Sequence, residues 1–410
     1  MNESLAAQPS PGRGVPTRSD SFVPRARVTR LLGVASGRPL TIVTGPAGVG
    51  KTLAVADWVT NGGPPGTVVW MSLDAGDRDV EQLWRRVVDA IATTVGPTVV
   101  DGLTAPLDPD ASFLAAVAAR SGGLVVVMDD AEKLGGGTAL ASIDSVLATP
   151  PEGFHLVLVS RHDPAMSLHR LRLTDRLAEV RFGDLAFTAP EARALLARAG
   201  VNLDDEVIEK VVDATGGWAA PLRLVAHSLR GVDDPSTVLA RLDGGYPLVS
   251  DYMWDEVVAG LPDDACQVLL RTSVTSRVCG SLARALTDDP DADAVLRSLA
   301  RDELLVEEVG HAGWFRSHPL LRGVLHARLV AERPELEREL RYVAVAWFEQ
   351  NGDGFEALAQ AIETRDWEFA GQVAVRSTAP AVFSSRQPEL TALLGELPAV
   401  FASVHPEVAA

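Results

Sequence analysis

The sequence has 410 residues, a length that suggests two to four domains rather than one. Hydrophobic residues make up 47% and charged residues 22%, so the chain can bury sizeable cores and is globular rather than disordered. A formal net charge of −18 argues against unaided binding to nucleic acid, and no apolar run approaches the roughly 18 residues that a membrane-spanning helix needs.

The cysteines and the N-terminal composition bear on the cellular compartment. Cys266 and Cys279 give neither a disulfide framework nor the spacing of a zinc site, which fits a reducing cytoplasm. The segment 1–20 is rich in Pro, Ser and Gly and has no apolar core, so it predicts a flexible leader and not a signal peptide. We therefore expect a cytoplasmic protein.

Short β-rich runs alternate with amphipathic stretches from about Val23 to Phe182. This alternation predicts an α/β domain with a parallel sheet that helices cover on both faces. The run Val125–Met128 is apolar throughout, as expected of a strand buried on both sides. The predicted strands are Leu40–Thr44, Thr67–Leu73, Leu124–Asp129, Phe154–Ser160 and Leu177–Phe182, and the predicted helices between them include Val80–Val95 and Ser112–Arg120.

Residues 45–52 match the P-loop pattern G-x-x-x-x-G-K-[ST]. A predicted strand precedes the motif and an apolar helix, Leu53–Val59, follows it, so a chance Gly-rich turn is the weaker interpretation. The glycines let backbone N–H groups turn inward around phosphates, Lys51 reaches the β- and γ-phosphates, and the Thr52 hydroxyl can bind Mg²⁺. The predicted nucleotide-binding residues of the loop are Gly45, Pro46, Ala47, Gly48, Val49, Gly50, Lys51 and Thr52.

An apolar strand that ends in two carboxylates predicts the Walker-B half of the site. We expect Asp129 to hold Mg²⁺ through water and Asp130 to orient or activate the attacking water, with Glu132 as an alternative base. Arg161 follows the next predicted strand, from where it can reach the γ-phosphate. The alternative interpretations are a solvated acidic turn and a surface arginine.

The order of the strands and the asparagines bear on which nucleotide binds. A predicted strand, Thr67–Leu73, lies between the P-loop and the Walker-B strand, which favours the additional-strand class of P-loop proteins over nucleoside kinases and GTPases. None of the four asparagines precedes a lysine, so the guanine motif Asn-Lys-x-Asp does not occur. Adenine is favoured, and ATP or ADP with Mg²⁺ is the expected cofactor set.

After residue 185 the strand signals fade and helices dominate. Thr188, Pro190 and Glu191 form a capping-box pattern that predicts the start of a helix. Between residues 245 and 330, helices precede a predicted hairpin over Leu304–Glu308 and Trp314–Pro319, which is typical of winged-helix folds. The remainder resembles helix-turn-helix repeats, but fewer than the roughly three that a stable array needs. The predicted domains are a leader (1–20), a P-loop nucleotide-binding domain (21–185), an all-α helical domain (186–244), a winged-helix-like domain (245–330) and the start of TPR-like helical repeats (331–410).

Taken together, these motifs resemble large ATP-binding LuxR-type regulators, the MalT-like branch of the STAND ATPases. The resemblance covers roughly residues 20 to 400. The segments that carry it, in chain order, are Val23–Arg25, the P-loop, Trp58, Val69–Asp74, the Walker-B strand, Ser160–Pro164 and Gly217–Ala220.

The resemblance implies a nucleotide-dependent conformational switch. ADP is expected to hold a closed form, whereas an inducer, either a small molecule or a protein, together with ATP favours an open, self-associating form. Hydrolysis is expected to be slow. A basic helix-turn-helix output domain is not found in this sequence, so we expect DNA contact only through a domain outside this chain, which is either the front part of a longer regulator or a naturally shortened one.

The resemblance also implies roles for three further residues. Arg25 is expected near the adenine, Pro221 against the adenine, and His318 facing the β-phosphate of ADP. Ala219 stands where the Gly-x-Pro element of related proteins has glycine. From the residues alone, the alternatives are a surface salt bridge for Arg25, a first-turn proline for Pro221 and a helix cap for His318.

Two other functions use the same nucleotide site. An AAA-type ATPase acting on nucleic acid is disfavoured by the acidic charge. An interaction scaffold that holds ADP permanently and has no output domain is compatible with every feature above.

Overall fold

The computed structural model describes residues 14–19, 21–96, 99, 111–232, 246–301, 305–310, 313–377 and 387–395. The predicted leader falls outside these ranges except for residues 14–19, of which Arg18 pairs with Asp57 at 2.5 Å. The chain divides into two compact units, Met1–Pro235 and Ser236–Ala410. None of the helices within the described ranges combines the length and the apolar character that a bilayer crossing requires.

The first unit contains a five-stranded parallel sheet. Its strands are β1 (Leu40–Thr44), β2 (Thr67–Ser72), β3 (Leu124–Asp129), β4 (Phe154–Ser160) and β5 (Leu177–Val180), in the spatial order β2-β3-β4-β1-β5. Strand β4 therefore separates the strand before the P-loop from the strand that carries the carboxylates, which confirms the additional-strand class. Thr44 pairs with Ser160 across β1 and β4, so both residues end their strands at the same edge of the sheet.

The strands β1, β3 and β4 are buried at every position, which explains their apolar composition. The helices of this α/β part are α1 (Ala26–Ala35), α2 (Lys51–Asn61), α3 (Val80–Val95), α4 (Ala111–Ser121), α5 (Thr138–Ala148), α6 (Leu168–Leu173) and α7 (Phe182–Leu185). Single turns of 3₁₀ helix occur at Ala75–Arg78 and Ala131–Leu134. Buried residues of α3, α4 and α5, among them Trp84, Leu114 and Ile143, form one core cluster with β2, β3 and β4.

The helical end of the first unit consists of α8 (Ala189–Arg198), α9 (Asp205–Thr215) and α10 (Ala219–Ser228). Helix α8 begins with the predicted capping box between Thr188 and Glu191. Gly217, with φ +69°, lies between α9 and α10 and accepts a hydrogen bond from the Phe187 N–H at 2.7 Å. A Cβ at Gly217 would lie 2.5 Å from the Phe187 carbonyl oxygen, so this close approach requires glycine.

The second unit combines helices with a small antiparallel sheet. Its helices are α11 (Pro247–Glu256), α12 (Asp263–Thr272), α13 (Gly280–Thr287), α14 (Ala292–Arg301), α15 (Pro319–Glu332), α16 (Pro334–Gln350), α17 (Gly354–Glu363), α18 (Trp367–Ser377) and α19 (Gln387–Leu394). Its strands are β6 (Val278–Cys279), β7 (Val306–Glu308) and β8 (Trp314–Ser317), in the order β6-β8-β7. The predicted hairpin is thus present as β7 and β8, whereas β6 was not predicted because two residues carry no alternation signal.

Three predicted strand ends differ from the structure. The second segment of the predicted hairpin was expected to reach Pro319, but β8 ends at Ser317 and Pro319 begins α15. The strand predicted over Leu177–Phe182 ends at Val180, and α7 begins at Phe182. The Asp184 carboxylate accepts the Arg181 N–H at 3.0 Å, which takes this donor away from a strand ladder. The strand predicted to end at Leu73 ends one residue earlier, and Leu304, predicted in the hairpin, lies outside the described residues.

Candidate nucleotide-binding site

The P-loop connects the end of β1 to the start of α2. Gly48 (φ +69°) and Gly50 (φ +93°) adopt left-handed backbone conformations that side chains disfavour. Gly50 is also the N-cap residue of α2, and it provides no capping side chain for the first N–H groups of the helix. A helix start of this kind offers main-chain donors and a positive dipole end to an anion.

Lys51 folds back onto the loop that precedes it. Its Nζ donates to the carbonyl oxygens of Gly45 at 2.7 Å and Pro46 at 3.0 Å. Burial lowers the pKa of Lys51 to about 8, an effect that the negative charge of Glu132 opposes. Because main-chain carbonyls compensate an ammonium charge incompletely, Lys51 remains attractive to a phosphate.

Asp129 ends β3 beside the P-loop helix. Its Oδ1 accepts hydrogen bonds from Thr52 Oγ1 and from the Asp130 N–H, each at 3.1 Å. Burial raises the pKa of Asp129 to about 6, and the neighbouring Asp130 adds to this shift. The structure therefore brings the two predicted magnesium ligands, Thr52 and Asp129, into direct contact.

The other predicted catalytic groups are engaged in ion pairs. Asp130, in the left-handed conformation at φ +59°, accepts from Lys133 Nζ at 2.8 Å. Glu132 accepts the main-chain N–H of Arg161 at 3.2 Å and pairs with its Nε at 3.4 Å. Asp130 and Arg161 were predicted at the site from the sequence, but their pairing with Lys133 and Glu132 was not predicted.

Two polar residues at this edge of the sheet were not predicted to act there. Ser160 is buried, and its Oγ has no hydrogen-bond partner within the described part of the protein. Arg181 donates to Thr44 Oγ1 at 2.7 Å and to Asp163 Oδ2 at 3.0 Å. A signal existed for Ser160, because it is a polar residue that follows the apolar run Leu156–Val159 directly before Arg161.

Arg25 lies against the P-loop. Its guanidinium contacts the carbonyl oxygens of Leu185 and Gly50, the latter at 3.5 Å, and stacks 4.7 Å from the Phe187 ring centroid. The side chain is buried, and burial lowers its pKa to about 10. The structure thus disagrees with a surface salt bridge for Arg25, while its contact with adenine remains a prediction.

The start of α10 also contacts the P-loop. Trp218 Nε1 donates to the Ala47 carbonyl at 2.9 Å, and the Ala220 N–H donates to the Gly48 carbonyl at 3.0 Å. Pro221 is buried in the first turn of this helix. Trp218 lies in one of the segments that carry the family resemblance. No local signal in the sequence indicated its bond to Ala47, which lies 171 positions earlier.

His318 belongs to the second unit, where it is the N-cap residue of α15. Its Nδ1 accepts the Leu320 N–H at 3.2 Å, as in the helix-cap interpretation. Burial lowers the pKa of His318 to about 4, against the opposing charge of Glu307. A contact between His318 and a nucleotide phosphate remains a prediction.

The residues of the first unit fit a nucleotide with Mg²⁺. The N-terminus of α2 and Lys51 provide donors for phosphate oxygens, and the hydroxyl of Thr52 with the carboxylate of Asp129 provides the oxygen ligands that Mg²⁺ prefers. The buried Ser160 hydroxyl adds a polar atom that lacks a partner in the described residues at the same edge of the sheet.

Comparisons with known proteins agree with this architecture. The MalT winged helix domain matches residues 254–337. The serine/threonine-protein kinase PknK of Mycobacterium tuberculosis is 29% identical over 395 residues, which cover 93% of this chain and 35% of that protein. The HTH-type transcriptional regulator MalT of Klebsiella pneumoniae is 28% identical over 367 residues, which cover 86% of this chain and 40% of that protein.

A solved structure resembles the fold. The Walker-type ATPase of Pyrococcus abyssi superposes with a TM-score of 0.52 at 16% identity, covering 75% of this chain and 97% of that one. The predicted P-loop ATPase fold, the winged-helix segment and the resemblance to MalT are therefore confirmed. The chain spans between a third and two fifths of the length of the curated relatives it matches.

Proposed function

We propose that this chain binds ATP or ADP with Mg²⁺ and acts as a slow nucleotide-dependent switch within a MalT-like regulator. The observation that carries the proposal is the arrangement of Lys51, Thr52 and Asp129 around the start of α2. A buried ammonium held by carbonyls and a buried carboxylate with a raised pKa match a ligand that brings both phosphate and a divalent cation.

Each residue of the site has a distinct task in this proposal. Lys51 exchanges the Gly45 and Pro46 carbonyls for the β- and γ-phosphate oxygens, which are stronger acceptors. Thr52 and Asp129 hold Mg²⁺, which when bound neutralises the charge that develops on the phosphates. Arg161 contacts the γ-phosphate once its pairing with Glu132 opens, so it responds to ATP but not to ADP.

The ion pairs at the site support slow hydrolysis. Asp130 is held by Lys133 and Glu132 by Arg161, so either candidate base must leave its ion pair before it accepts a proton from water. We expect Asp130→Asn to lower the rate of ATP hydrolysis at least roughly tenfold and Glu132→Gln to change it less. The opposite ranking of the two variants in a phosphate-release assay would assign the base to Glu132.

The relatives support a switch module more than a particular output. The matched region is shared by a protein named a kinase and one named a transcriptional regulator, and it covers a minority of each. In our proposal an inducer, either a small molecule or a protein, and ATP favour a self-associating form of this region. DNA contact, by analogy with the regulator, belongs to a domain outside this chain.

The same ion pairs support a second candidate, an ADP-holding scaffold that never turns over. Both candidates are tested by purifying the chain without added nucleotide, denaturing it and identifying the released nucleotide by ion-exchange chromatography. Near-stoichiometric ADP supports either one, and exchange of that ADP for ATP with a change in oligomeric state selects the switch. A protein that neither releases nor binds nucleotide would refute both, and rapid turnover would favour an AAA-type motor.

A further inference from the structure

Two carbonyl groups of the P-loop are held by the start of α10. Trp218 Nε1 donates to Ala47 O at 2.9 Å, and the Ala220 N–H donates to Gly48 O at 3.0 Å. Trp218 is completely buried, and its ring meets Phe182 edge-on with centroids 6.0 Å apart. The indole is therefore fixed by packing on one side and by the loop carbonyl on the other.

The bond to Ala47 O has a consequence for the opposite side of the same peptide. The peptide between Ala47 and Gly48 is trans, so its C=O and N–H point in opposite directions. Because Trp218 holds the carbonyl, the N–H of Gly48 points away from α10. A P-loop binds phosphate through backbone N–H groups that face the inside of the loop, so the direction of this N–H matters for binding. Because glycine at position 48 tolerates many backbone conformations, the loop needs an outside contact to keep this orientation.

We propose that Trp218 is a positioning residue that presets the P-loop for phosphate and couples nucleotide binding to the docking of α10. The inference rests on the proposed nucleotide binding and deepens it by naming the contact through which the helical segment and the loop affect each other. Coupling of this kind is reciprocal: docking of α10 strengthens nucleotide binding, and nucleotide stabilises the docking by the same factor.

The chain offers two matched controls for a Trp218→Phe variant. Trp84 is also buried, and its indole donates to Ser142 Oγ at 2.8 Å, so Trp84→Phe removes a comparable bond elsewhere in the first unit. The Trp58 indole nitrogen is buried without a hydrogen-bond partner in the described residues, so Trp58→Phe changes the ring alone. All variants are made in the full chain.

The first measurement is the ADP dissociation constant with Mg²⁺ by titration calorimetry, alongside thermal unfolding. We expect Trp218→Phe to raise the dissociation constant about fivefold, the effect of one neutral hydrogen bond, and both controls to stay within about twofold. Trp218→Phe and Trp84→Phe should lose similar thermal stability. An unchanged affinity in Trp218→Phe, or an equal loss in Trp84→Phe, would overturn the inference.

Hydrogen exchange separates this inference from the proposed function. In the nucleotide-free protein, amides of residues 45–50 should exchange faster in Trp218→Phe than in Trp84→Phe, and equal exchange would overturn the positioning role. In the wild type, ADP should slow exchange over residues 218–228, and protection confined to the P-loop would overturn the coupling. If the wild type binds no ADP, the proposed function fails, and the exchange of residues 45–50 still decides whether Trp218 orients the loop.

Discussion

Two clusters of charged side chains, one in each unit, are built in opposite ways. In the second unit, the buried Arg341 bonds to Glu337 and to Gln360 Oε1 at 3.0 Å, and its guanidinium lies 3.0 Å from His326 Nε2. In the first unit, Lys51 donates to main-chain carbonyls and forms no salt bridge with any described carboxylate. One cluster compensates its own charge, whereas the other leaves its charge for a ligand.

This contrast separates structural from functional charge in a fold of this kind. Burying an ion is unfavourable unless an opposite charge and hydrogen bonds compensate it. The Arg341 cluster meets that condition with its own side chains, so its loss should affect folding. The P-loop site meets it incompletely, as the shifted pKa values of Lys51 and Asp129 indicate, so changes there should affect binding more than folding.

The largest expected effect is on folding, at Arg341. Arg341→Met leaves the Glu337 carboxylate without its buried partner, and breaking a buried ion pair typically costs about 3–5 kcal/mol. Urea unfolding of the full chain should show this loss in the free energy of unfolding, with ADP affinity unchanged. Arg338→Met on the same helix is the control, because its exposed pair with Glu335 is worth about 1 kcal/mol or less. Equal effects of the two variants would contradict the assignment.

The next effect is on binding, at Lys51. Lys51→Met removes the ammonium that faces the phosphates, and we expect the ADP dissociation constant to rise at least about 100-fold, which equals about 2.7 kcal/mol. The nucleotide-free protein should not lose stability, because the buried ammonium is disfavoured in the folded state. Lys210→Met, which removes an exposed lysine paired with Glu206, is the control. Retained affinity in Lys51→Met would argue against a working P-loop.

The predictable parts of this molecule are those with local signals. The spacing of Gly45, Gly50 and Lys51 indicated the P-loop, and apolar runs indicated the strands that bring Thr52 and Asp129 together. Strand ends were predicted less well, because a carboxylate such as Asp184 redirects a single backbone donor without changing the apolar pattern.

The contacts that link distant segments could not be predicted. Trp218 and Ala47 are 171 positions apart, and nothing in either local sequence states that the indole meets that carbonyl. The pairing of Arg161 with Glu132 was likewise hidden, because it depends on β4 lying next to β3 in the sheet. Long-range geometry decides whether a charge is compensated, so the contrast between the two clusters is visible in the structure alone.

A smaller effect concerns the protonation of Asp129. Its folded-state pKa of about 6 lies above the ordinary aspartate value of about 3.9, so the folded protein binds this proton more tightly than the unfolded chain. The stability contributed by the group is therefore present below about pH 4 and is lost as the pH rises through 6. Magnesium must displace the same proton, so we expect Mg²⁺-dependent ADP affinity to fall several-fold between pH 7.5 and pH 5.5.

The control for this prediction is Asp129→Asn, because the phosphate of the ligand also titrates near pH 6. This variant should show weaker Mg²⁺-dependent affinity, a smaller loss between the two pH values and no loss of nucleotide-free stability at pH 7.5. Titration calorimetry with Mg²⁺ or EDTA at both pH values measures the affinities. Thermal unfolding at pH 7.5 measures the stability of the nucleotide-free protein. An equal pH dependence in wild type and Asp129→Asn would show that Asp129 does not titrate in this range.

The smallest effect returns to the compensated cluster, at His326. Burial lowers the pKa of His326, and the charge of Arg341 does so too, although the hydrogen bond to Glu337 at 3.1 Å opposes both. The folded state therefore favours the neutral imidazole, so its contribution to stability is present above the ordinary histidine pKa of about 6.5 and is lost as the pH falls below it. In the neutral imidazole, Nε2 can either donate to Glu337 or accept from Arg341, whereas glutamine has a separate donor and acceptor and does not titrate. His326→Gln should therefore have a free energy of unfolding within about 1 kcal/mol of wild type at pH 7.5 and lose less stability in urea unfolding at pH 5.

His155 and His318, whose pKa values are also lowered by burial, are common to both proteins and cancel in this comparison. An equal loss at pH 5 would assign the acid sensitivity to groups other than His326.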